Sequence, residues 1–281
     1  MGECSYYALF PTLKDGDSAL LRVESSAYSP SLNVDDGGRG GLSVVFVHSL
    51  AGNTGHWSRQ LEHLRGDRRA LAIDLRGHGR SDPARDGNYS VEAMADDIES
   101  VVAALGLRRF ILVGHSMGGS ASIEYAGRHP DAVAGLLLAD PSGDARKIPA
   151  GQFAPFMEAL ASDSYASAVE DYWKMMIANS SHSVREKLLR DLHAMRKEIV
   201  IGVFKASLQF DPITPLRRFP GKKLSVVTQL NDTPISLHNL LPDLPHVSVP
   251  DTGHWLQLDK PEEFNRIMDE FISSVEQNGG R

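Results

Sequence analysis

The chain has little cysteine and no long hydrophobic run. Its single cysteine, Cys4, has no partner for an internal disulfide, which is typical of a protein from a reducing compartment. No run of about 18 or more apolar residues is present, so the sequence predicts no transmembrane helix. The N-terminal residues also lack the basic and apolar regions of a signal peptide. We therefore expect a soluble, cytoplasmic protein.

Clusters of basic residues are also missing. The formal net charge is −7 and the isoelectric point is about 5.9, and the longest basic groups are pairs such as Arg68-Arg69. Because proteins bind nucleic acid through clustered lysine and arginine, this composition argues against a nucleic-acid partner. The expected partner is a small molecule, with no membrane partner, and the oligomeric state stays open between monomer and dimer.

Metal and nucleotide motifs are absent as well. The 11 histidines include no H-E-x-x-H or H-x-H-x-D arrangement, and there is no cysteine cluster. The phosphate-binding patterns G-x-x-x-x-G-K-[ST] and G-x-G-x-x-G at a helix start are not found either. The sequence therefore predicts a reaction that needs no metal and no cofactor.

What the chain does contain is an alternation of short apolar runs and amphipathic segments. Continuous apolar runs are typical of strands buried on both faces of a parallel sheet. An early strand is expected near residues 19–24, followed by a flexible turn at 35–41. The predicted later strands are residues 43–48, 69–74, 110–115, 133–140, 223–229 and 246–250.

Helices are predicted from apolar residues at steps of three and four. One helix is expected after Ser90, a plausible N-cap, and another has Pro261 in its first turn. Strands that alternate with helices in this way indicate an α/β fold with a parallel sheet and helices on both faces.

The alternation stops between residues 142 and 219, where the pattern is helical, as in the stripe that contains Tyr165, Val169 and Trp173. A segment of this length is too long for a bare loop. We interpret 142–219 as a helical cap inserted between two strands of a core formed by 1–141 and 220–281.

The segment FILVGHSMGGSA, residues 110–121, joins a predicted buried strand to a run of small residues. Gly114 and Gly118 allow the close backbone approach of a sharp strand-to-helix turn, which would hold Ser116 exposed at its tip. The backbone N–H of Met117 would then point toward an oxyanion formed beside Ser116. The pattern G-x-S-x-G in this setting predicts a nucleophilic serine.

Three motifs in this order, GHSMGG, DLRGHGRSD (residues 74–82) and DTGHW (residues 251–255), resemble the α/β-hydrolase superfamily. The resemblance covers residues 42–141 and 222–275 and is nearest to small serine esterases, with enol-lactonases, carbon–carbon bond hydrolases and cofactor-free perhydrolases as relatives. It implies a mostly parallel, eight-stranded sheet with helices on both faces and a helical cap.

The resemblance also implies a base and an acid for the serine. His254 matches the base of the superfamily. For the acid, Asp232 in QLND matches the usual position, although Gln229 stands where the family has glycine. Asp140, at the end of GLLLAD, is the alternative, since a minority of the superfamily has its acid there.

The resemblance places the second oxyanion donor after the first parallel strand. The family reads His-Gly-X there, and this chain reads His48-Ser49-Leu50, so the N–H of Leu50 is the candidate. Ser49 in place of glycine could misplace that donor. We expect four residues near these motifs or on the cap stripe to contact the substrate: Ser49, His115, Trp173 and Trp255.

The function predicted from these residues is hydrolysis of a small or medium carboxylic ester or lactone through an acyl-enzyme. A carbon–carbon bond hydrolase or a cofactor-free perhydrolase would use the same three groups. A ligand-sensing receptor with this fold is an alternative of another class. Because Ser116 stands at the nucleophile position, an enzyme with an aspartate nucleophile is disfavoured.

Overall fold

The computed structural model describes residues 7–8, 18–24, 29–149 and 151–278. Cys4 and most of the N-terminal segment lie outside these residues. The described chain contains a single mixed sheet with the strand order β1-β2-β3-β5-β4-β6-β7-β8-β9. Its strands are β1 Tyr7–Ala8, β2 Ser18–Glu24, β3 Leu32–Gly37, β4 Val44–Val47, β5 Ala70–Ile73, β6 Phe110–His115, β7 Val133–Ala139, β8 Lys222–Thr228 and β9 His246–Val249.

The sheet is mostly parallel, as predicted. Strands β5, β4, β6, β7, β8 and β9 run parallel to one another, while β2 and β3 join the other edge in antiparallel fashion. The predicted count of eight strands differs by the two-residue strand β1, which pairs with β2 at the outer edge.

Eleven α-helices are assigned in the described ranges, and none of them is both long and apolar enough to cross a membrane. They are α1 Ser58–Leu64, α2 Val91–Ala104, α3 Met117–Arg128, α4 Ala154–Ala161, α5 Tyr165–Met176, α6 His182–His193, α7 Lys197–Gln209, α8 Ile213–Arg218, α9 Leu237–Leu240, α10 Leu256–Asp259 and α11 Pro261–Asn278.

The turn predicted at residues 35–41 is partly wrong, because residues 35–37 belong to strand β3. The consecutive carboxylates and the glycine suggested a loop. In the structure, Asp35 accepts a hydrogen bond from Arg65 at 2.7 Å, and Asp36 accepts two from Arg69 at 3.0 and 2.7 Å. These arginines lie between α1 and β5, so the groups that neutralise the two carboxylates of β3 are distant in sequence.

The helices cover both faces of the sheet, which confirms that prediction. Helices α1 and α11 pack on one face, where Trp57 and Phe264 are fully buried. Helices α2 and α3 pack on the other face. The predicted N-cap of α2 is also present, since the Ser90 hydroxyl accepts a hydrogen bond from the N–H of Ala93 at 3.1 Å. The central strands are therefore buried on both sides, as their continuous apolar runs require.

Helices α4 to α8 lie between β7 and β8 in the chain, within the segment predicted as a cap. Helix α5 bears the predicted stripe, with Val169 and Trp173 buried. Helix α8 packs against α3, and Gly127 lies so close to Pro215 that a side chain at position 127 would clash. The division into a core and a cap at 142–219 stays a prediction.

Candidate active site

Ser116 lies at the junction of β6 and α3 in a strained backbone conformation, with φ 51° and ψ −115°. The two neighbouring glycines make this turn possible. A Cβ on Gly118 would clash with the carbonyl oxygen of His48, and one on Gly114 would clash with the hydroxyl of Ser122. A left-handed φ is costly for a residue with a side chain and is found mainly at functional sites. The elbow around Ser116 is therefore built as the G-x-S-x-G pattern predicts.

His254 follows β9, and two hydrogen bonds to its main-chain groups hold it in place. Its N–H donates to the carbonyl of Met176 at the end of α5, and its carbonyl accepts from His115 Nε2, both at 2.9 Å. The imidazole Nδ1 lies 2.5 Å from Oδ2 of Asp140. Because Nδ1 binds a carboxylate, Nε2 is left to face a reacting hydroxyl, which is the arrangement a general base needs.

Asp140 is fully buried directly after β7, with a φ of +40°. Thr228, the last residue of the neighbouring strand β8, donates to it twice. Its N–H reaches Oδ1 at 2.8 Å and its hydroxyl reaches Oδ2 at 2.9 Å. With the His254 contact, three polar groups surround this carboxylate and hold it in a fixed orientation.

The prediction that Asp232 orients His254 is wrong. Strand β8 ends at Thr228, and a short 3-10 helix at Gln229–Asn231 precedes Asp232. The Asp232 carboxylate, about half exposed, instead accepts from His238 Nε2 and Asn239 Nδ2, both at 2.9 Å. The alternative residue, Asp140, occupies the predicted place.

Ser116 and His254 line a common cavity of about 230 Å³ between the sheet edge and helices α5 and α7. Most of its wall is apolar, and a few hydroxyl and amide groups interrupt it, such as those of Ser142, Ser207 and Asn231. The apolar and aromatic residues of the wall are Leu50, Met117, Ile148, Phe153, Tyr172, Trp173, Met176, Val203, Phe204, Leu208, Ile235 and Trp255.

Leu50 and Met117, the predicted oxyanion donors, both line this cavity. Neither backbone N–H donates to a carbonyl within the described residues, so both are available to a ligand. The loop at Leu50 is held by His48, whose Nδ1 lies 2.7 Å from the Ser49 carbonyl and whose Nε2 accepts from the N–H of Leu75 at 3.0 Å. In this loop the left-handed φ falls on Ala51, at 56°, and not on Ser49.

The four residues predicted to contact a substrate separate into two groups. Ser49, Trp173 and Trp255 line the cavity, and the Ser49 hydroxyl accepts from the Trp255 indole at 3.0 Å. His115 is fully buried beneath His254 and is absent from the cavity wall. Burial lowers the pKa of His115 well below its usual range. The expectation of a substrate contact at His115 is therefore wrong, and its hydrogen bond to the His254 carbonyl makes it a support for that loop.

His48, Thr228 and Tyr172 are among the residues of the site that were not predicted from the sequence. Thr228 ends the observed strand β8, which lies beside β7, and β7 ends directly before Asp140, so the pairing of these two predicted strands was the available signal. In the described part of the chain, no three His, Cys, Asp or Glu side chains come together in a way that could hold a metal ion.

Comparison with known proteins agrees with this geometry. A family model described as alpha/beta hydrolase fold matches residues 43–213. The chain is 28% identical over 264 residues to the sn-1-specific diacylglycerol lipase of Mus musculus, a match that covers 86% of this chain and 85% of the lipase. The chain therefore belongs to the α/β-hydrolase fold family.

Solved structures support the same assignment. A thermophilic esterase from Thermogutta terrifontis superposes with a TM-score of 0.76 at 24% identity, which covers 92% of this chain and 99% of the esterase and is evidence for the fold. An N-acyl homoserine lactone degrading enzyme superposes with a TM-score of 0.71 at 27% identity, over 89% of this chain and 99% of that enzyme. Family and relatives together support a hydrolase enzyme.

Proposed function

We propose that this protein is a serine hydrolase that cleaves a small or medium carboxylic ester or lactone through an acyl-enzyme. Ser116 is the nucleophile, His254 is the general base and acid, and Asp140 orients the imidazole. The backbone N–H groups of Leu50 and Met117 bind the oxyanion. This assignment replaces Asp232 with Asp140 and keeps the other roles inferred from the sequence.

One observation carries the proposal: the imidazole of His254, paired with Asp140 at 2.5 Å, and the strained Ser116 line the same cavity. A serine hydroxyl is a weak nucleophile near neutral pH and needs an adjacent base. A base that is itself oriented by a buried carboxylate is what acyl transfer to serine requires.

The reaction proceeds in two steps. His254 Nε2 takes the proton of Ser116 as the hydroxyl oxygen attacks the substrate carbonyl, and the amides of Leu50 and Met117 bind the oxyanion that forms. The same imidazole then returns the proton to the leaving alcohol, and the ester bond to that alcohol breaks. In the second step a water molecule attacks the acyl-enzyme with His254 again as base, and the carboxylic acid leaves Ser116.

The size and lining of the cavity support a modest acyl group. Its volume of about 230 Å³ is below the range of about 300–1,000 Å³ that holds drug-sized ligands. Its largely apolar wall suits the hydrocarbon part of an ester. The similar proteins described as a diacylglycerol lipase, an esterase and an N-acyl homoserine lactone degrading enzyme support this substrate class by their names.

The test replaces the nucleophile. Ser116→Ala is expected to lower the turnover of p-nitrophenyl butyrate by at least about 10³-fold and to abolish labelling by a serine-directed phosphonate, because no acyl-enzyme can form. Ser120→Ala, which removes a buried hydroxyl from the next turn of α3, is the matched control and should retain both. Turnover by Ser116→Ala equal to that of the control would refute the proposal.

The same wild-type preparation distinguishes the other uses of these groups. Halide oxidation in acetate and peroxide, faster than ester turnover, would indicate a perhydrolase. Cleavage of a carbon–carbon bond in a dienoic or diketone substrate, with inert esters, would indicate the carbon–carbon bond hydrolases. A single turnover followed by recruitment of a protein partner would indicate a receptor. Each of these results would contradict an ester or lactone hydrolase.

A further inference from the structure

Tyr172 on α5 contributes a polar group to an apolar part of the cavity wall. Its ring contacts Phe156 and Phe204, each with centroids 5.4 Å away and the latter edge-on, and these contacts fix its position. Its hydroxyl has no hydrogen-bond partner among the described residues. Burial raises the pKa of Tyr172 to about 12, so the phenol keeps its proton at neutral pH and remains a donor.

The neighbouring residue adds a second donor. The indole N–H of Trp173 is buried and has no acceptor within the described part of the chain, and Trp173 also lines the cavity. An indole nitrogen can only donate, and a protonated phenol is a good donor. The indole N–H is fully enclosed, however, so of these two donors the phenol of the half-buried Tyr172 is the one that a ligand in the cavity can reach.

The Tyr172 side chain is half-buried and lines the cavity, so its unpartnered phenol is open to an acceptor on a ligand. A polar group at this place gives no packing advantage over phenylalanine, which would make the same ring contacts. An acceptor atom supplied by a bound substrate would satisfy the phenol. Ligand cavities commonly combine an apolar wall with a few polar groups that fix orientation in this way.

We propose that Tyr172 is a specificity residue that donates a hydrogen bond to an oxygen in the acyl part of the substrate, away from the carbonyl that Ser116 attacks. The substrate class is then an ester or lactone whose acyl chain carries a hydroxyl or oxo group. This inference rests on the proposed ester hydrolysis. The acyl part is the relevant one because it stays attached to Ser116 through both steps, whereas the alcohol leaves after the first.

The test compares p-nitrophenyl hexanoate with its 3-hydroxy and 5-oxo derivatives. For each enzyme, the value measured is the ratio of kcat/KM for a substituted ester to kcat/KM for the parent ester. Because the intrinsic reactivity of each ester is the same for every enzyme, a change in this ratio between wild type and variant reports the contact with the enzyme. Tyr172→Phe is expected to lower this ratio about fivefold to tenfold for at least one derivative, because a single hydrogen bond is lost. Tyr165→Phe, on the same helix and outside the cavity wall, should leave the ratio at the wild-type value.

The outcomes separate the two proposals. An unchanged ratio in Tyr172→Phe, with active wild-type enzyme, overturns the role of Tyr172 and leaves ester hydrolysis intact. An equal fall in Tyr165→Phe also overturns it, since the effect would then belong to the helix as a whole. A wild-type enzyme that hydrolyses none of these esters refutes the proposed function, and this inference with it.

Discussion

At the scale of single residues, the proposed mechanism depends most on the buried carboxylate of Asp140. Thr228 donates to both of its oxygens, and His254 Nδ1 lies 2.5 Å from Oδ2. A carboxylate in this position holds the imidazole in the tautomer that leaves Nε2 free to accept a proton, and it stabilises the imidazolium that forms afterwards. An amide in its place would keep the shape and lose the charge.

We therefore expect Asp140→Asn to lower kcat by about 10³- to 10⁴-fold, because the neutral amide favours the wrong tautomer of His254. Asp232→Asn, at the position first predicted from the sequence, is the matched control and should change kcat less than about threefold, since its carboxylate is half exposed. Ester turnover under saturating substrate measures both. Equal losses in the two variants would show that the orienting role of Asp140 is wrong.

The sequence was sufficient to identify Ser116 and His254 as candidates but could not decide between the two acids. Asp140 ends one predicted strand and Asp232 follows another, and the choice depends on where the chain turns after β8. The 3-10 helix after Thr228 carries Asp232 away from the sheet edge, and only the folded chain reveals this turn. The hydroxyl of Tyr172 was missed because periodicity does not reveal which aromatic residues of the cap face the cavity, and Trp173 was chosen in its place.

At the scale of elements, strands and helices whose burial follows from local pattern were predicted well. Strand β6 and helix α2 begin within one residue of the expected positions. Strand β3 was missed because its stability depends on Arg65 and Arg69, which reach its carboxylates from another part of the chain. Local pattern therefore predicts an element only where the element does not depend on distant charges.

Helix α6 makes a long-range polar contact with the 3-10 helix Thr54–Trp57, which follows β4. His56, fully buried after β4, lies with Nε2 2.8 Å from Asp191 Oδ2, and Lys187 donates to the same oxygen at 2.7 Å. The other ring nitrogen of His56 has no partner within the described residues. Within the described residues, the contact with Asp191 is thus the only hydrogen bond that the His56 imidazole makes.

Asp191→Ala is expected to lower the free energy of unfolding by about 1–3 kcal/mol, because it leaves a buried imidazole without its partner. Asp171→Ala, which removes a largely exposed carboxylate from α5, should lower it by less than about 0.5 kcal/mol. Urea unfolding monitored by tryptophan fluorescence measures both values. A loss for Asp191→Ala no larger than that of the control would exclude His56 as an anchor of α6.

At the scale of the whole molecule, the parallel sheet assembles the site. The carboxyl ends of β6, β7 and β8 lie side by side, so Ser116, Asp140 and Thr228 meet at one edge although they are distant in sequence. The same architecture buries imidazoles beneath that edge, among them His48 and His78, whose rings lie 5.1 Å apart. Burial lowers the pKa of each of these two groups to about 3.

This burial makes the stability of the molecule depend on pH. Above pH 6.5 both imidazoles are neutral in the folded and the unfolded chain, so they do not affect the balance between the two. Below pH 6.5 the unfolded chain binds protons first, since its histidines are unperturbed, and the folded state loses stability as the pH falls toward about 3. Each such group contributes a slope of about 1.4 kcal/mol per pH unit.

The free energy of unfolding is therefore expected to fall by about 2.7 kcal/mol from His48 and His78 together between about pH 7.5 and 5.5, a range in which ordinary carboxylates stay ionised. In His78→Asn the fall over the same range should be smaller by about half of that amount, whatever the stability of the variant at neutral pH. In His182→Asn, which changes a largely exposed histidine at the start of α6, it should match the wild type. Urea titrations at the two pH values measure the fall in the free energy of unfolding for the wild type and for each variant. If the free energy of unfolding of His78→Asn falls as much as that of the wild type, the burial of His78 does not contribute to the acid sensitivity of the protein.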